Sequence, residues 1–348
     1  MAEFRKSTVA APLVLIALAA VPWLAQALEQ DYYVTFLARV LILALAAIGL
    51  NLVLGFGGMV SMGHALYVGV GVYAVGILAS NGVTSGWVHV ATALLVAAAL
   101  AVPLGLVCLR TSGMAFIMIT LAFGQMAYYG AVSLRDYGGD DGMAIPRRSD
   151  FGLFSLEDNA VLYWLIFLAL LLTLYTMQRL VRSPFGMVLR GIRINPRRMA
   201  ALGYPTLRYQ LVAYVLSALV CALAGVLLAN LARYMSPSYL QWQVSGELVM
   251  MIVLGGMGAV IGPLYGALAL LVLEELLVSL PFLLPWGLDA IVAQHPMVVV
   301  GLFVVAVAIG MKGGLHSLLT RGALDPRPAC AGTVTSKPAT EPSEEPAC

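Results

Sequence analysis

Residues 34–80 read VTFLARVLILALAAIGLNLVLGFGGMVSMGHALYVGVGVYAVGILAS. This stretch holds two apolar runs, about 34–54 and about 63–80, separated by Gly55, Gly57 and Gly58. At about 1.5 Å of rise per residue, the first run is long enough for a helix to cross the roughly 30 Å hydrocarbon core of a bilayer. The stretch therefore predicts two membrane helices joined by a glycine-rich break.

The composition of the whole chain supports a membrane protein. Of its 348 residues, 61% are hydrophobic and 10% are charged, whereas a soluble domain carries about 25% charged residues. A water-soluble fold could not hide so much apolar surface, because much of any folded surface faces water. We expect an all-α, polytopic integral membrane protein with about 8–10 transmembrane helices. The net charge of +2 gives no indication of a nucleic-acid partner.

The sequence shows no set of residues typical of a catalytic or metal centre. The cysteines lack the spacing of metal ligands, and we expect four free thiols. There is no nucleophile elbow, no zinc-type histidine cluster and no Gly-x4-Gly-Lys-Ser/Thr loop for ATP. We therefore expect no enzymatic activity, no cofactor and no metal.

Apolar runs, and the polar residues or glycines that end them, predict ten segments. The eighth is short, and it either crosses the membrane or enters it and returns. The chain then divides into an N-terminal segment with the first span, a transmembrane domain over 31–311 and a polar tail that we expect to be disordered. The ten predicted segments are about 9–28, 34–54, 63–80, 88–109, 114–134, 160–180, 210–232, 245–257, 262–280 and 296–311. The N-terminal segment that contains the first of them is 1–30, and the polar tail is 312–348.

The start and the orientation of the chain are two further expectations. Ala25-Gln26-Ala27 resembles a signal-peptidase site, but the run before it is long enough to span, and we favour an uncleaved first span over a cleaved signal. Lysine and arginine are enriched on the cytoplasmic side of membrane proteins. If the N-terminus is cytoplasmic and each segment crosses once, most of the 19 basic residues are cytoplasmic, including the arginine-rich loop at about 182–208. Both termini are then cytoplasmic.

The glycine break has a counterpart in the second half of the chain. Residues 252–266 again read as an apolar helix, a break at Gly255-Gly256 and a new apolar run. Paired glycine-interrupted segments indicate a translocation site, because a helix broken inside the membrane offers backbone groups to a polar solute. The alternative is that these glycines only allow close packing of helices. We expect the pathway to include Asn51, Gly57, Gly58, Ser61, His64, Gln125, Glu247, Gly255 and Gly256.

Three of these side chains have a simpler alternative role. Glu247 opens the eighth segment, where it either contacts an amino group of the solute or caps the helix at the interface. His64 either senses pH or solute, or it hydrogen-bonds to the broken backbone. Gln125 lies in the middle of the fifth segment, where helix-to-helix hydrogen bonds are common.

Taken in order along the chain, several motifs resemble the Liv-type branched-chain amino acid ABC permeases, closer to the M subunit than to the H subunit. The resemblance covers roughly 41–309. It rests on Asn51 to His64, on Leu109-Arg110-Thr111 through Gly124, on Gly138-Gly139-Asp140-Asp141-Gly142, on Ser183-Pro184-Phe185-Gly186 through Arg193, on Ala200-Ala201-Leu202-Gly203, and on Glu247 to Gly266.

The resemblance implies the permease subunit of an ABC importer in a bacterial inner membrane. Its implied partners are two ATP-binding cassette subunits, a second homologous permease subunit and a periplasmic solute-binding protein. It also implies that a short helix in the loop 182–208 docks on the ATPase, through Arg190, Arg193, Ala200, Ala201 and Gly203. The family usually has acidic residues before the two alanines, whereas this chain has Asn195-Pro196-Arg197-Arg198. The alternative is that these arginines only set the topology and touch lipid phosphates.

The expected function is translocation of branched-chain amino acids with ATP hydrolysed by a separate subunit. Similar permeases carry urea, short amides or aromatic acids, so the solute stays open at this point. Two other classes of function compete. A secondary transporter needs intramembrane carboxylates or histidines for ion coupling, and Glu247 is the one good candidate; a membrane-embedded enzyme needs polar clusters at the interface.

Overall fold

The computed structural model describes residues 4–27, 31–152, 156–279, 296–310 and 314–315. Within them the chain is almost entirely helical, and the predicted all-α polytopic fold is confirmed. The α-helices are α1 (Phe4–Ala27), α2 (Asp31–Asn51), α3 (Ala65–Ser80), α4 (Gly86–Cys108), α5 (Met114–Val132), α6 (Asn159–Arg182), α7 (Pro184–Ile194), α8 (Pro196–Ala201), α9 (Thr206–Ala232), α10 (Trp242–Gly255), α11 (Gly262–Ser279) and α12 (Pro296–Gly310). A π-helical turn (Leu52–Phe56), two 3-10 turns (Arg135–Tyr137 and Pro237–Leu240) and two short strands, β1 (Met143–Ala144) and β2 (Tyr234–Met235), complete the described elements.

The lengths of the helices fit a multi-pass membrane protein. In the part of the chain that the structure describes, five helices are long and apolar enough to cross a bilayer: Tyr32–Phe56, Gly86–Cys108, Met114–Val132, Asn159–Arg182 and Thr206–Ala232. Shorter apolar helices lie at Pro12–Trp23, Ala65–Ser80, Trp242–Gly255 and Val298–Val307. The 14 residues of α10 rise only about 21 Å, so by itself this helix does not cross a bilayer of about 30 Å.

Helices α2 and α9 form the centre of the bundle. Helix α9 packs on α2, α3 and α4, and α2 also packs on α6, α10 and α11. Between α3 and α9 the backbones approach closely at Gly71 and Gly225, where an added Cβ would collide with backbone atoms of the other helix. Small residues that allow such an approach are typical of helix packing in membranes.

A hydrogen bond ties α1 to the bundle through a carbonyl that a proline leaves free. Pro22 lies inside α1 and has no N–H, so the carbonyl of Leu18, four residues earlier, loses its helical donor. The hydroxyl of the buried Tyr163 in α6 donates to this carbonyl instead, at 2.7 Å. Helix α1 continues through Ala25-Gln26-Ala27 without a break.

The long helices give the molecule two opposite ends. We call one the loop end; it contains the segment 133–152 and 156–158 and the antiparallel pair β1–β2, where Met143 faces Met235. His89 fixes this end from α4, because Nδ1 lies 2.7 Å from the Ser149 hydroxyl and Nε2 lies 2.9 Å from the Val83 carbonyl. Only a protonated Nε2 can donate to that carbonyl, so in the neutral imidazole Nδ1 accepts from the serine.

Arg148 fixes the loop end from the other side. Its guanidinium donates to the carbonyls of Leu156 and Glu157 and to the side chain of Asn159. Burial, and then the nearby charge of Arg233, lower the pKa of Arg148, although arginine keeps its proton in proteins.

We call the opposite end, formed by α7, α8 and the adjoining ends of α6 and α9, the basic end.

At the basic end, the predicted arginine-rich loop folds into α7 and α8. Ser183 precedes a proline at the first position of α7, and Asn195 does the same for α8, where its side-chain oxygen accepts from the backbone N–H of Arg198 at 3.0 Å. A proline after a capping residue is a favourable helix start. The residues between the predicted segments 262–280 and 296–311 lie outside the described residues, and so does the predicted disordered tail 312–348 apart from 314–315.

Candidate functional site

The first glycine break is a π-helical turn followed by an irregular segment. The turn over Leu52–Phe56 closes with the N–H of Gly57 on the carbonyl of Leu52, at 3.1 Å. Gly58 then takes a φ of +71°, a conformation that favours glycine. Single π-helical turns inside helices are rare and are frequent at functional sites.

The irregular segment 59–64 leads to α3, and side chains of other helices accept hydrogen bonds from backbone N–H groups in it and directly after it. The N–H of Met62 donates to the Thr120 hydroxyl of α5, and the N–H of Ala65 donates to the Ser245 hydroxyl of α10. Such pairing is what allows a non-helical backbone to lie at membrane depth. Gly63 passes so close to the carbonyl of Thr120 that no side chain would fit.

Ser61 and His64 lie in this segment and are fully buried. Nδ1 of His64 lies 2.8 Å from the Ser61 hydroxyl. The imidazole also packs against the rings of Tyr67 and Tyr214, whose hydroxyls are hydrogen-bonded to each other at 3.1 Å. Nε2 of His64 is buried and has no hydrogen-bond partner among the described residues. The amide nitrogen of Gln125 on α5 is in the same situation.

The second glycine break turns α10 back into α11. Gly256 and Gly258 have φ values of 109° and 87°, which glycine adopts without strain. A Cβ at Gly255 would collide with the carbonyl of Gly262, and one at Gly266 would collide with the carbonyl of Met251. The two helices are therefore an antiparallel hairpin with backbones in direct contact.

Asn51 joins the two breaks. It is 1% exposed and ends α2 just before the π-helical turn. Its side-chain nitrogen donates to the carbonyl of Ala259 at 2.8 Å, and its side-chain oxygen accepts from the N–H of Gly258 at 3.5 Å. The two glycine-rich segments, more than 200 residues apart in sequence, are thus held by one side chain.

Helix α7 contacts the first break directly. The guanidinium of Arg193 donates to the carbonyl of Gly55, and the aliphatic part of the same side chain packs on Gly58. The guanidinium of Arg190 lies 5.3 Å from the centre of the Phe56 ring, within the range of a cation–π interaction. The two arginines therefore connect the basic end to the π-helical turn.

The other residues that we expected to act in coupling lie elsewhere. Ala200, Ala201 and Gly203 are exposed on α8 and in the turn after it, and Gly203 has a φ of 88° with open space around it. They present a small-residue surface to the outside. The five expected coupling residues thus fall into two arginines of α7 that contact the first break and three small residues exposed on α8 and in the turn after it.

Glu247 lies in a third place, towards the start of α10. It is partly buried, and its electrostatic neighbours are Glu274 on α11 and Arg39 on α2. Nearby, the Tyr32 hydroxyl donates to Glu275 at 2.7 Å and joins the beginning of α2 to the end of α11. By helical rise, Arg39 lies about 10 Å further along α2 than Tyr32, inside the apolar span.

The expected pathway residues therefore lie in four places. One group near the basic end contains Asn51, Gly57, Gly58, Gly255 and Gly256. Ser61 and His64 lie where α3 begins, and Glu247 lies nearer the loop end. Gln125 follows Thr120 by five residues on α5. Thr120, Ser245 and Arg39 were not predicted as site residues from the sequence. Arg39 could have been found, because a charge inside a predicted span is a functional candidate. In the described part of the chain, no three His, Cys, Asp or Glu side chains are grouped as a metal site requires.

A family model and several known proteins are similar to this chain over most of its length. Residues 32–308 match the family model described as branched-chain amino acid transport system, permease component. The permease LivM of the high-affinity branched-chain amino acid transport system of Escherichia coli (strain K12) is 28% identical over 297 residues, which cover 78% of this chain and 69% of that protein. LivM of Salmonella typhimurium is 27% identical over 68% of this chain and 61% of that protein.

LivH, from the same system of Escherichia coli (strain K12), is 27% identical over 67% of this chain and 80% of that protein. The chain thus spans 61–69% of the length of these two LivM relatives. No solved structure matches the chain significantly.

Proposed function

The chain belongs to the family of permease components of branched-chain amino acid transport systems, and from this premise we propose that it is the membrane subunit of an ATP-driven importer. Its solute is a branched-chain amino acid. ATP is hydrolysed by two separate cassette subunits, a second homologous permease completes the pathway, and a periplasmic binding protein delivers the solute. The relatives, which are named as permease proteins of branched-chain amino acid transport systems, support this assignment.

The observation that carries the proposal is the contact of α7 with the first glycine break. The positive-inside rule favours a basic end in the cytoplasm of a bacterial cell, with both termini on that side of the inner membrane and residues 31–311 as the permease domain. The exposed surface of Ala200, Ala201 and Gly203 then faces the side on which ATP is available. Small side chains allow a partner's backbone to approach closely.

A chain of contacts leads from this surface to the breaks. When the ATPase moves α7, Arg193 transmits the displacement to the carbonyl of Gly55 in the π-helical turn. Asn51, directly before that turn, transmits it to Gly258 and Ala259 of the second break. Coupling between distant sites requires an element with two arrangements that both sites influence. In this proposal, the element is the pair of glycine breaks.

Charged side chains near the loop end suit a zwitterionic solute. An ionised side chain inside a span is costly unless it faces water or an opposite charge. Glu247 and Glu274 are suited to bind an ammonium group, and Arg39 is suited to bind a carboxylate. Further along, the free nitrogens of His64 and Gln125 offer polar partners at a depth where the protein otherwise supplies apolar surface.

Copurification with the cassette subunits tests the proposal. Ala201→Trp places a bulky side chain on the exposed face of α8, and we expect it to abolish copurification of the ATPase. Val88→Trp is the matched control, because Val88 is exposed at the start of α4, which adjoins the loop end. Equal recovery of ATPase with both variants would contradict docking on α8, as would labelling that places α8 outside the cell.

A further inference from the structure

One face of α6 changes from apolar to basic along its length. Leu168, Leu172 and Tyr175 are 63%, 61% and 59% exposed, and Arg179 and Arg182 continue the same stripe at spacings of three and four residues. Side chains at such spacings lie on one face of a helix. This face therefore points away from the bundle, and it ends in two guanidinium groups at the basic end.

The two arginines line a shallow cleft on this face. The cleft is open to the surroundings, its volume is about 460 Å³, and its lining comes from the end of α6 and the residue after it: Tyr175, Gln178, Arg179, Arg182 and Ser183. A guanidinium nitrogen of Arg179 donates to the Tyr175 hydroxyl at 3.1 Å, which holds Arg179 along the helix. The Ser183 hydroxyl donates to the Leu180 carbonyl at 2.6 Å, so its oxygen remains able to accept. The other donors of the cleft are guanidinium and amide N–H groups, which suit an anion.

We propose that this cleft binds the phosphate headgroup of an anionic phospholipid of the same leaflet, with an acyl chain lying along Leu172 and Leu168. By helical rise, Leu168 and Arg179 lie about 16 Å apart along the axis, which matches the depth of one leaflet, about half of a 30 Å hydrocarbon core. An aromatic residue at the headgroup level, here Tyr175, is typical of the membrane interface.

A lipid fits the cleft better than the ATPase does. The cleft continues the lipid-facing stripe of α6, whereas the exposed small residues of α8 lie beyond it in the chain. Basic pockets on the cytoplasmic side of membrane helices bind anionic headgroups. The inference does not depend on which solute the permease carries.

Equilibrium titration of the full-length chain in neutral detergent tests the inference. Phosphatidylglycerol, phosphatidylcholine and inorganic phosphate are the three probes. For the double variant R179Q/R182Q we expect about thirty-fold weaker binding of phosphatidylglycerol, because two guanidinium contacts to an anionic headgroup are lost. R197Q/R198Q, with the same change of charge on α8, is the matched control and keeps the affinity of the unmodified chain.

R179K/R182K controls for misfolding caused by substitution at these two positions. Because it keeps both charges, we expect it to bind phosphatidylglycerol within about threefold of the unmodified chain. Phosphatidylcholine is expected to bind at least about tenfold more weakly than phosphatidylglycerol. Equal affinity of the unmodified chain and R179Q/R182Q would overturn the proposal. Inorganic phosphate that displaces the lipid at equal concentration would overturn it in favour of a free-anion site. Unchanged lipid affinity together with lost ATPase copurification would overturn it in favour of a protein contact.

Discussion

Removing the side chain that joins the two glycine breaks should impair transport more than it impairs folding. In Asn51→Leu, the carbonyl of Ala259 loses its 2.8 Å donor, and the weak 3.5 Å contact of Gly258 is also lost. A buried carbonyl left unpaired costs about 1–3 kcal/mol. Because Ala259 is only partly buried, we expect the lower part of that range, about 1–2 kcal/mol. If the link is made in one state of the pathway and not in the other, this shifts their ratio by about five- to thirty-fold.

Asn230→Leu is the matched control for this prediction. Asn230 is also a buried asparagine with two hydrogen bonds, one to the carbonyl of Val226 at 2.8 Å and one from the N–H of Ser149 at 2.7 Å. It lies at the loop end, away from both breaks. The assay is ATP-driven uptake by the assembled transporter in proteoliposomes, normalised to folded permease, alongside thermal unfolding in detergent.

We expect similar losses of thermal stability for the two variants, because each loses two hydrogen bonds of an amide side chain. We expect uptake to fall about five- to thirty-fold for Asn51→Leu and less than about twofold for Asn230→Leu. Equal effects of the two variants on both stability and uptake would show that Asn51 is only a structural residue and does not couple the two breaks.

Three further predictions follow from the same contacts. Gly255→Ala should destabilise the α10–α11 hairpin by about 1–3 kcal/mol, because the added Cβ meets backbone atoms that cannot rotate away. Gly246→Ala, in open space on the same helix, should be neutral or slightly stabilising when both variants are compared by thermal unfolding in detergent. Arg193→Gln should lower uptake about fivefold through weaker coupling. Arg110→Gln, at another exposed arginine, should leave uptake unchanged. A constant rate of ATP hydrolysis in both variants would show that the coupling of hydrolysis to transport is what changes. Arg39→Gln should lower leucine uptake about tenfold with the ATPase still bound, and unchanged uptake would exclude this arginine from the pathway.

Local composition was sufficient to predict most of the helices, because apolar runs and their breakers are properties of neighbouring residues. The predicted segment 262–280 became Gly262–Ser279, and 160–180 became Asn159–Arg182. The arginine-rich loop was the main addition, since its two short helices depend on capping residues and on packing against α6 and α9. The Ser183-Pro184 and Asn195-Pro196 pairs were available in the sequence as start signals.

The arrangement of the candidate site could not be predicted in the same way. Asn51 was expected in the pathway, but its partners at Gly258 and Ala259 come from the other half of the chain. Arg193 was expected to act in coupling to the ATPase, but the contact of its guanidinium with Gly55 could not be foreseen. Such placements depend on how α2, α7 and α10 pack together, and the sequence pattern of each helix contains no information about the others.

Uptake of radiolabelled leucine into proteoliposomes distinguishes an ATP-driven importer from a secondary transporter. We expect accumulation only when this chain is assembled with a second permease, the cassette subunits and the binding protein, and only with ATP present. Accumulation of leucine by this chain alone, driven by a proton or sodium gradient without ATP, would contradict it.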